Sequence, residues 1–215
     1  MTLEDGVTAR ELAGTIKQLL ESLPQPALAP FLADWPAAPG HRAVRAADLP
    51  VLRWLAEIAH DSAAFGAELV AAVCRAASSL AWRQTYTARD LGAAFLDNYG
   101  WSEILGASGP LASERLACGF LLLGPATHYP RHRHEAEEMY LPLSGTAAWQ
   151  QGDEVWRERP PGTPIHHASE EPHATRTGAR PLLALYIWRS ADLSQKARLE
   201  ARGSARIHTR LPLDE

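Results

Sequence analysis

The sequence predicts a mainly β protein, a small antiparallel β-barrel of the jelly-roll kind covered by a helical N-terminal region. Three observations predict it. Apolar residues recur at helical spacing up to about residue 110. The chain then changes to short aliphatic and aromatic segments set off by Gly, Pro and Asp. Those segments follow one another roughly every 8–12 residues with no helical pattern between them, which favours a barrel or sandwich. The expected organisation is a helical region over 1–110 and a barrel over 111–215, forming one compact unit.

In the helical part, Thr8 and Glu11 have capping-box spacing ahead of Leu12, Ile16, Leu19, Leu20 and Leu23, an apolar stripe on one helix face. Pro24, Pro26 and Pro30 break that helix, and PAAPGHRA (36–43) reads as a loop. Asp48 as N-cap, with Pro50 in the first turn, predicts a helix through about Asp61. AFGAELVAAVCRAASSLAW (64–82) is Ala-rich and helical, and Thr87 with Asp90 predicts another cap before LGAAFLDNYGW. In the β part, strands are expected in LACGFLLLG, EMYLPLSGTAAWQ, GDEVWRER, GTPIHH and PLLALYIW.

At 215 residues, 46% hydrophobic and 21% charged, the chain can build a proper core and is not of disordered composition. A net charge of -4 gives no electrostatic reason to expect nucleic acid or an anionic membrane as partner. The opening MTLEDGVTAREL carries acids where a signal peptide needs a basic region and an apolar run, and no window approaches a membrane-spanning length of apolar residues. Cys74 and Cys118 sit in apolar contexts and are expected as buried free thiols. A cytoplasmic protein acting on a small molecule is the expectation.

Six of the nine histidines fall in the β half: His128, His132, His134, His166, His167 and His173. Side chains on a strand alternate faces, so the even-numbered His132, His134, Glu138 and Tyr140 in RHRHEAEEMY can point the same way, given a turn near Glu135. Two imidazoles and a carboxylate suit Zn, Fe, Mn, Ni or Co and not Ca or Mg. His173 in EEPHATR is the best fourth donor. A polar loop between strands carries the same residue types. Glu138, Gly145 and the downstream Pro-His together make a metal site the stronger reading. Tyr140 reads two ways from parity: a phenol on the metal side whose pKa a cation lowers, or a packed strand tyrosine.

From its histidines onward, His132-x-His134-xxx-Glu138-x6-Gly145 resembles the first cupin motif. Gly162 and His173 match the second. Ala126, Ala168, Glu170 and Thr177 depart from it, standing where the patterns usually have Gly, Pro, Gly and Asn. The resemblance implies a cupin-like antiparallel β-barrel with one metal inside. More narrowly, HYPRHRHEAEEMYLPLSG and GTPIHHASEEPHATRTGARPLLALYIW are similar to the cupin-type dimethylsulfoniopropionate (DMSP) lyases, over about residues 98–199. That resemblance implies that His132, His134, Glu138 and His173 hold one divalent transition metal and that Tyr140 removes a proton. It also implies that Tyr129, Trp188 and Tyr186 surround the substrate. The implied reaction is β-elimination of DMSP to dimethyl sulfide and acrylate.

Alternatives stay open at the sequence level. Another metal-dependent cupin enzyme, a dioxygenase or isomerase of a small acid, uses the same ligands, as does a non-catalytic small-molecule-binding cupin or a structural metal. Trp188 reads equally as a core residue. His128 could orient a ligand or end a strand, and of the adjacent His166 and His167 only one can face inward. Arg131 and Arg133 have odd parity, toward solvent or an acid such as Glu135. The helices could cover the barrel mouth or form a homodimer contact.

Overall fold

The computed structural model describes residues 7–200, so positions 1–6 of the acidic opening and 201–215 of the expected barrel region lie outside the described residues. The helical part contains α1 (Ala9–Glu21), α2 (Ala29–Ala33), α3 (Leu55–Ala59), α4 (Ala67–Ala76), α5 (Ala88–Leu91) and α6 (Ala93–Leu96). Short 3-10 turns connect several of them. The capping box forms as expected: Thr8 Oγ1 accepts from the Glu11 backbone N–H at 3.2 Å, and Glu11 Oε2 accepts from the Thr8 N–H at 2.7 Å. Leu12, Ile16 and Leu20 are buried on the predicted stripe.

Two expected helices come out shorter. The segment after Asp48 is a 3-10 turn over Pro50–Trp54, capped at Leu49 and not at Asp48, before α3. The Ala-rich stretch is helical only in α4 and the following turn, because Gly66 enters it in a left-handed conformation (φ 64) and Leu80 leaves it extended.

The strands are β1 (Trp82–Arg83), β2 (Tyr99–Gly106), β3 (Leu111–Ala112), β4 (Leu116–Leu123), β5 (His128–Arg133) and β6 (Glu137–Ser144), then β7 (Ala147–Gln151), β8 (Arg157–Arg159), β9 (Ile165–His167), β10 (His173–Thr177), β11 (Leu182–Arg189) and β12 (Arg198–Leu199). They form a seven-stranded sheet in the order β1-β2-β4-β11-β6-β9, with β3 beside β2, and a five-stranded sheet in the order β12-β5-β10-β7-β8. All pairs are antiparallel except β2 with β3. The architecture is cupin-like, as two facing sheets and not a closed barrel. Sheet structure also starts before residue 110. The helical pattern of LGAAFLD stops at Leu96, and the aromatic alternation of Tyr99 and Trp101 opens β2. GDEVWRER contributes only the three residues of β8.

Strand parity divides the larger sheet into two faces. Met139, Leu141 and Leu143 of β6, and Leu183, Leu185 and Ile187 of β11, join Cys118, Phe120 and Leu122 of β4 in a core shared with Leu12, Ile16, Phe31 and Val73 of the helices. Fully burying each such side chain stabilises by about 1.5–3 kcal/mol. The opposite face, with Tyr99, Leu121, Tyr140 and Tyr186, meets Tyr129 and Trp149 of the five-stranded sheet. β4 lies between helices and second sheet, which is why its sequence is one unbroken apolar run, buried at every position.

Between β6 and β7 the chain crosses from one sheet to the other at Gly145. That residue has φ 80, and a Cβ there would sit 2.0 Å from the Pro181 carbonyl oxygen, so the crossing requires glycine. The buried Asp61 carboxylate holds this corner, accepting from Ser144 Oγ at 2.8 Å and the Gly145 N–H at 3.1 Å, with Arg180 3.0 Å away.

Candidate metal centre and active-site cavity

β5 and β10 are antiparallel neighbours with His132 opposite His173. His134 follows the end of β5, and Glu138 enters from β6 in the facing sheet. All four expected donors are buried, at 1%, 1%, 3% and 0% exposure for His132, His173, His134 and Glu138. The three imidazoles bring ligand nitrogens within 4.8 Å of one another.

Each ring is oriented by a backbone carbonyl two residues away. Nδ1 lies 2.9 Å from the Pro130 oxygen in His132, 2.8 Å from the Ala136 oxygen in His134 and 2.9 Å from the Glu171 oxygen in His173. A carbonyl only accepts, so the hydrogen-bond network assigns the Nδ1 proton and leaves Nε2 facing inward.

His134 Nε2 is 3.0 Å from Glu138 Oε2, and His173 Nε2 is 3.3 Å from the same oxygen without hydrogen-bond geometry. Lone pairs converging on a carboxylate oxygen repel unless a positive charge lies among them, either a proton on His134 or a cation. The donor set is of the borderline type that takes a first-row divalent ion. The three imidazoles therefore fit a bound metal, with the Glu138 carboxylate against two of them and outside the group of mutually close donors, and the buried His173 Nε2 without a hydrogen-bond partner accords with it.

The electrostatics of the metal-free cluster follow. Burial, then the neighbouring His173, holds the His132 imidazole well below its ordinary value. Burial also opposes a charge on His134, but the charge of Glu138 and the hydrogen bond to it outweigh burial and raise that imidazole. Glu138 is pulled well below the ordinary carboxylate range against its burial, chiefly by His134. Burial, then the charge of Glu138, pushes the Tyr140 phenol well above its ordinary value.

A cavity of about 470 Å³ opens onto this cluster, lined by Glu138 and by Tyr99, Trp101, Tyr129, Tyr140, Tyr186 and Trp188. Tyr140 lies across from Tyr186 in the β6–β11 register, with its ring 6.4 Å from that of His173. Tyr129 stacks flat on His132 at 4.0 Å, and its hydroxyl lies 3.2 Å from that of Tyr86. Trp188 is half-buried, tilted over His134 at 4.3 Å, and its Nε1–H donates to Glu138 Oε1 at 2.6 Å. The segment Leu193–Ala197, including Lys196, lines the cavity as well, as do Arg83, Gln84, Thr85 and Glu103.

The other histidines separate clearly. His167 is the inward member of its pair, fully buried and stacked on His173 at 4.0 Å, with no hydrogen bond to either nitrogen. His166 faces Glu137, 2.8 Å from its Oε1. His128 is exposed, edge-on to Trp156. Arg131 pairs with Glu200 and Asp153, and Arg133 lies near Glu170 and Glu200. Glu135 instead accepts from Gln195. Sequence reasoning missed Tyr99 and Trp101; their alternation was the available signal, hidden behind a helical stretch. Tyr86 carried no signal.

With this geometry in view, the comparisons with known proteins are specific. The family model for dimethylsulfoniopropionate lyase matches residues 31–184. Over 108 residues the chain is 41% identical to dimethylsulfoniopropionate lyase DddQ of Ruegeria pomeroyi, a match covering 50% of this chain and 54% of that protein. The chain spans about half the length of the curated relatives it matches. The crystal structure of DMSP lyase DddQ from Ruegeria pomeroyi DSS-3 superposes with a TM-score of 0.79 at 32% identity, covering 89% of this chain and 95% of that one. A chain from the crystal structures of the DMSP lyases RdDddP and RnDddQII gives the same TM-score at 29% identity, covering 90% and 97%. A family match over most of the chain, carried on the strands that bring three imidazoles and a carboxylate together, leads to one conclusion: the chain belongs to the dimethylsulfoniopropionate lyase family.

Proposed function

We propose that the protein is a metal-dependent carbon–sulfur lyase that cleaves DMSP to dimethyl sulfide and acrylate. The observation that carries this reading is the Tyr140 phenol, set in the wall of an aromatic cavity beside Glu138 and the three-histidine cluster. His132, His134, His173 and Glu138 would hold one divalent ion, of the group Zn, Fe, Mn, Ni or Co. When bound, that ion supplies a Lewis acid for the substrate carboxylate and a positive charge that offsets Glu138 beside the phenol.

Tyr140, as the phenolate that the ion's positive charge would favour, takes the proton from the carbon next to the carboxylate. The electron pair released forms the carbon–carbon double bond, the bond from the β carbon to sulfur breaks, and neutral dimethyl sulfide leaves. A sulfonium has positive charge but no hydrogen-bond donor, so aromatic faces are its natural partners, at about 0.5–2 kcal/mol each. Tyr129, Tyr186 and Trp188 supply such faces. Cys74 and Cys118 are free thiols, which fits a reducing compartment, and we place the reaction in the cytoplasm.

Headspace detection of dimethyl sulfide from metal-loaded protein and DMSP tests the reading. Tyr140→Phe should keep its metal and lose about 10²–10⁴-fold in turnover, the usual contribution of a positioned base. Cleavage by Tyr140→Phe at the parent rate would remove the base assignment. Inertness toward DMSP with cleavage of another β-substituted propionate would keep the mechanism and change the substrate.

A further inference from the structure

Trp188 stands directly across from Glu138 in the β6–β11 register. Its indole does more than present a face to the cavity. The Nε1–H donates to Glu138 Oε1 at 2.6 Å, while Oε2 of the same carboxylate points toward His134 and His173. The ring also lies over His134, with centroids 4.3 Å apart and an interplanar angle of 36°. One side chain thus touches two of the four expected metal donors without itself offering a ligand atom. Trp101 provides the contrast: it lines the same cavity, yet its Nε1–H goes to Thr85 Oγ1 at 3.1 Å.

We propose that Trp188 is a positioning residue of the metal centre, whose N–H occupies one oxygen of Glu138 so that a single oxygen is presented to the ion. The proposal rests on the metal reading of the cluster and goes beyond a cation–π role for Trp188. A carboxylate held by a fixed donor meets an ion in one orientation. Without the donor it rotates and can offer both oxygens. Outer hydrogen bonds of this kind typically change metal affinity by about 10–100-fold.

The test uses Co²⁺ alone as probe, with binding measured by competition against a chromophoric chelator and the visible absorption of the Co²⁺ protein recorded. Trp188→Phe keeps an aromatic ring over His134 and removes the N–H. Expected results are a Co²⁺ affinity lower by about 10–100-fold and shifted visible bands, with a cooperative melt of the variant showing that the fold is kept. Trp101→Phe should bind Co²⁺ as the parent does. Trp188→Gln, which restores an N–H without the ring, should recover part of the affinity. Parent affinity and spectrum in Trp188→Phe overturn the proposal, as does an equal loss in Trp101→Phe or no recovery in Trp188→Gln. None of these readouts needs DMSP, so a protein inert toward DMSP that still shows the Trp188→Phe loss separates failure of the lyase reading from failure of this one.

Discussion

Loading the site with a divalent ion at neutral pH should release up to one proton per protein, and that proton should come from His134. The donor set would allow none to three. Glu138 brings none, because its carboxyl is held well below the ordinary range and is already ionised. His132 brings none, because burial and His173 keep its imidazole neutral. His173 has Nδ1 on the Glu171 oxygen and no hydrogen bond to Nε2, so nothing in its contacts marks a proton on the inward nitrogen. Only His134 has an Nε2 hydrogen-bonded to the carboxylate, and Glu138 raises its pKa above the ordinary imidazole value of 6.5.

A ligand that must lose a proton makes metal affinity pH-dependent. Below the His134 pKa each unit of pH changes the apparent affinity about tenfold, or about 1.4 kcal/mol. Above it the dependence should vanish. Calorimetric titration of Zn²⁺ into chelator-treated protein, in buffers of differing ionisation enthalpy, gives the number directly. In Glu138→Gln the cause of the raised pKa is gone, and release at pH 7 should fall below that of the parent. Release of two or more protons, or release unchanged by Glu138→Gln, would refute the assignment of charge within the cluster.

Three further outcomes concern stability. The raised His134 imidazole stabilises the metal-free protein below its ordinary pKa of 6.5, and that contribution is lost as pH rises through the higher folded value. The lowered Glu138 carboxyl stabilises above 4.5, and that contribution is lost as pH falls through its depressed folded value. Chelator-treated protein should therefore melt lower on the alkaline side of neutrality as well as in acid. Thermal melts across pH that show no alkaline decline in the parent protein would contradict the pairing. Ala126, exposed with φ 50, should be stabilised by glycine: relief of about 1–2 kcal/mol of left-handed strain, less about 0.5–1 kcal/mol of chain entropy, leaves about 0–1.5 kcal/mol, or a Tm rise of up to about 6 °C. Gly145→Ala should act in the opposite sense, losing about 1–3 kcal/mol from conformation alone, because of φ 80 and the Pro181 oxygen. A lower Tm in Ala126→Gly would remove the strain account.

The donors were legible because period-two alternation is local. His132 and Glu138 sit on strands of different sheets, and the parity that aligned them in sequence is the parity that turns each toward the interior. His134 faces inward although it lies past the end of β5, because the Ala136 carbonyl accepts a hydrogen bond from its Nδ1–H. Parity cannot set phase for an adjacent pair, so His166 and His167 were indistinguishable until pairing with β6 put His167 opposite Glu138. Tyr99 and Trp101 were lost because their strand is fixed by long-range pairing with β4, while the residues just before them favour a helix. The departures from the cupin patterns have a physical answer as well. Ala126 and Glu170 stand where the patterns have glycine, and both keep a positive φ, 50 and 61, so the loop shape survives with an L-residue held in the left-handed region.

The same alternation explains how a buried carboxylate and three buried imidazoles are tolerated. Desolvating such a cluster costs several kcal/mol per charge, and Nδ1–carbonyl bonds satisfy only half of each ring. The remainder must come from elsewhere in the fold, and β6 and β11 show where. Along β6, Glu138 and Tyr140 face the cavity while Met139, Leu141 and Leu143 face the helices. Along β11, Tyr186 and Trp188 alternate with Leu185 and Ile187 in the same way. A one-residue slip in either strand would exchange the faces, exposing the core stripe to the cavity and driving Glu138 into the helical layer. The apolar contacts that dock the helices therefore also lock the register of the donors, so the helical layer acts on the site's geometry without contributing a ligand.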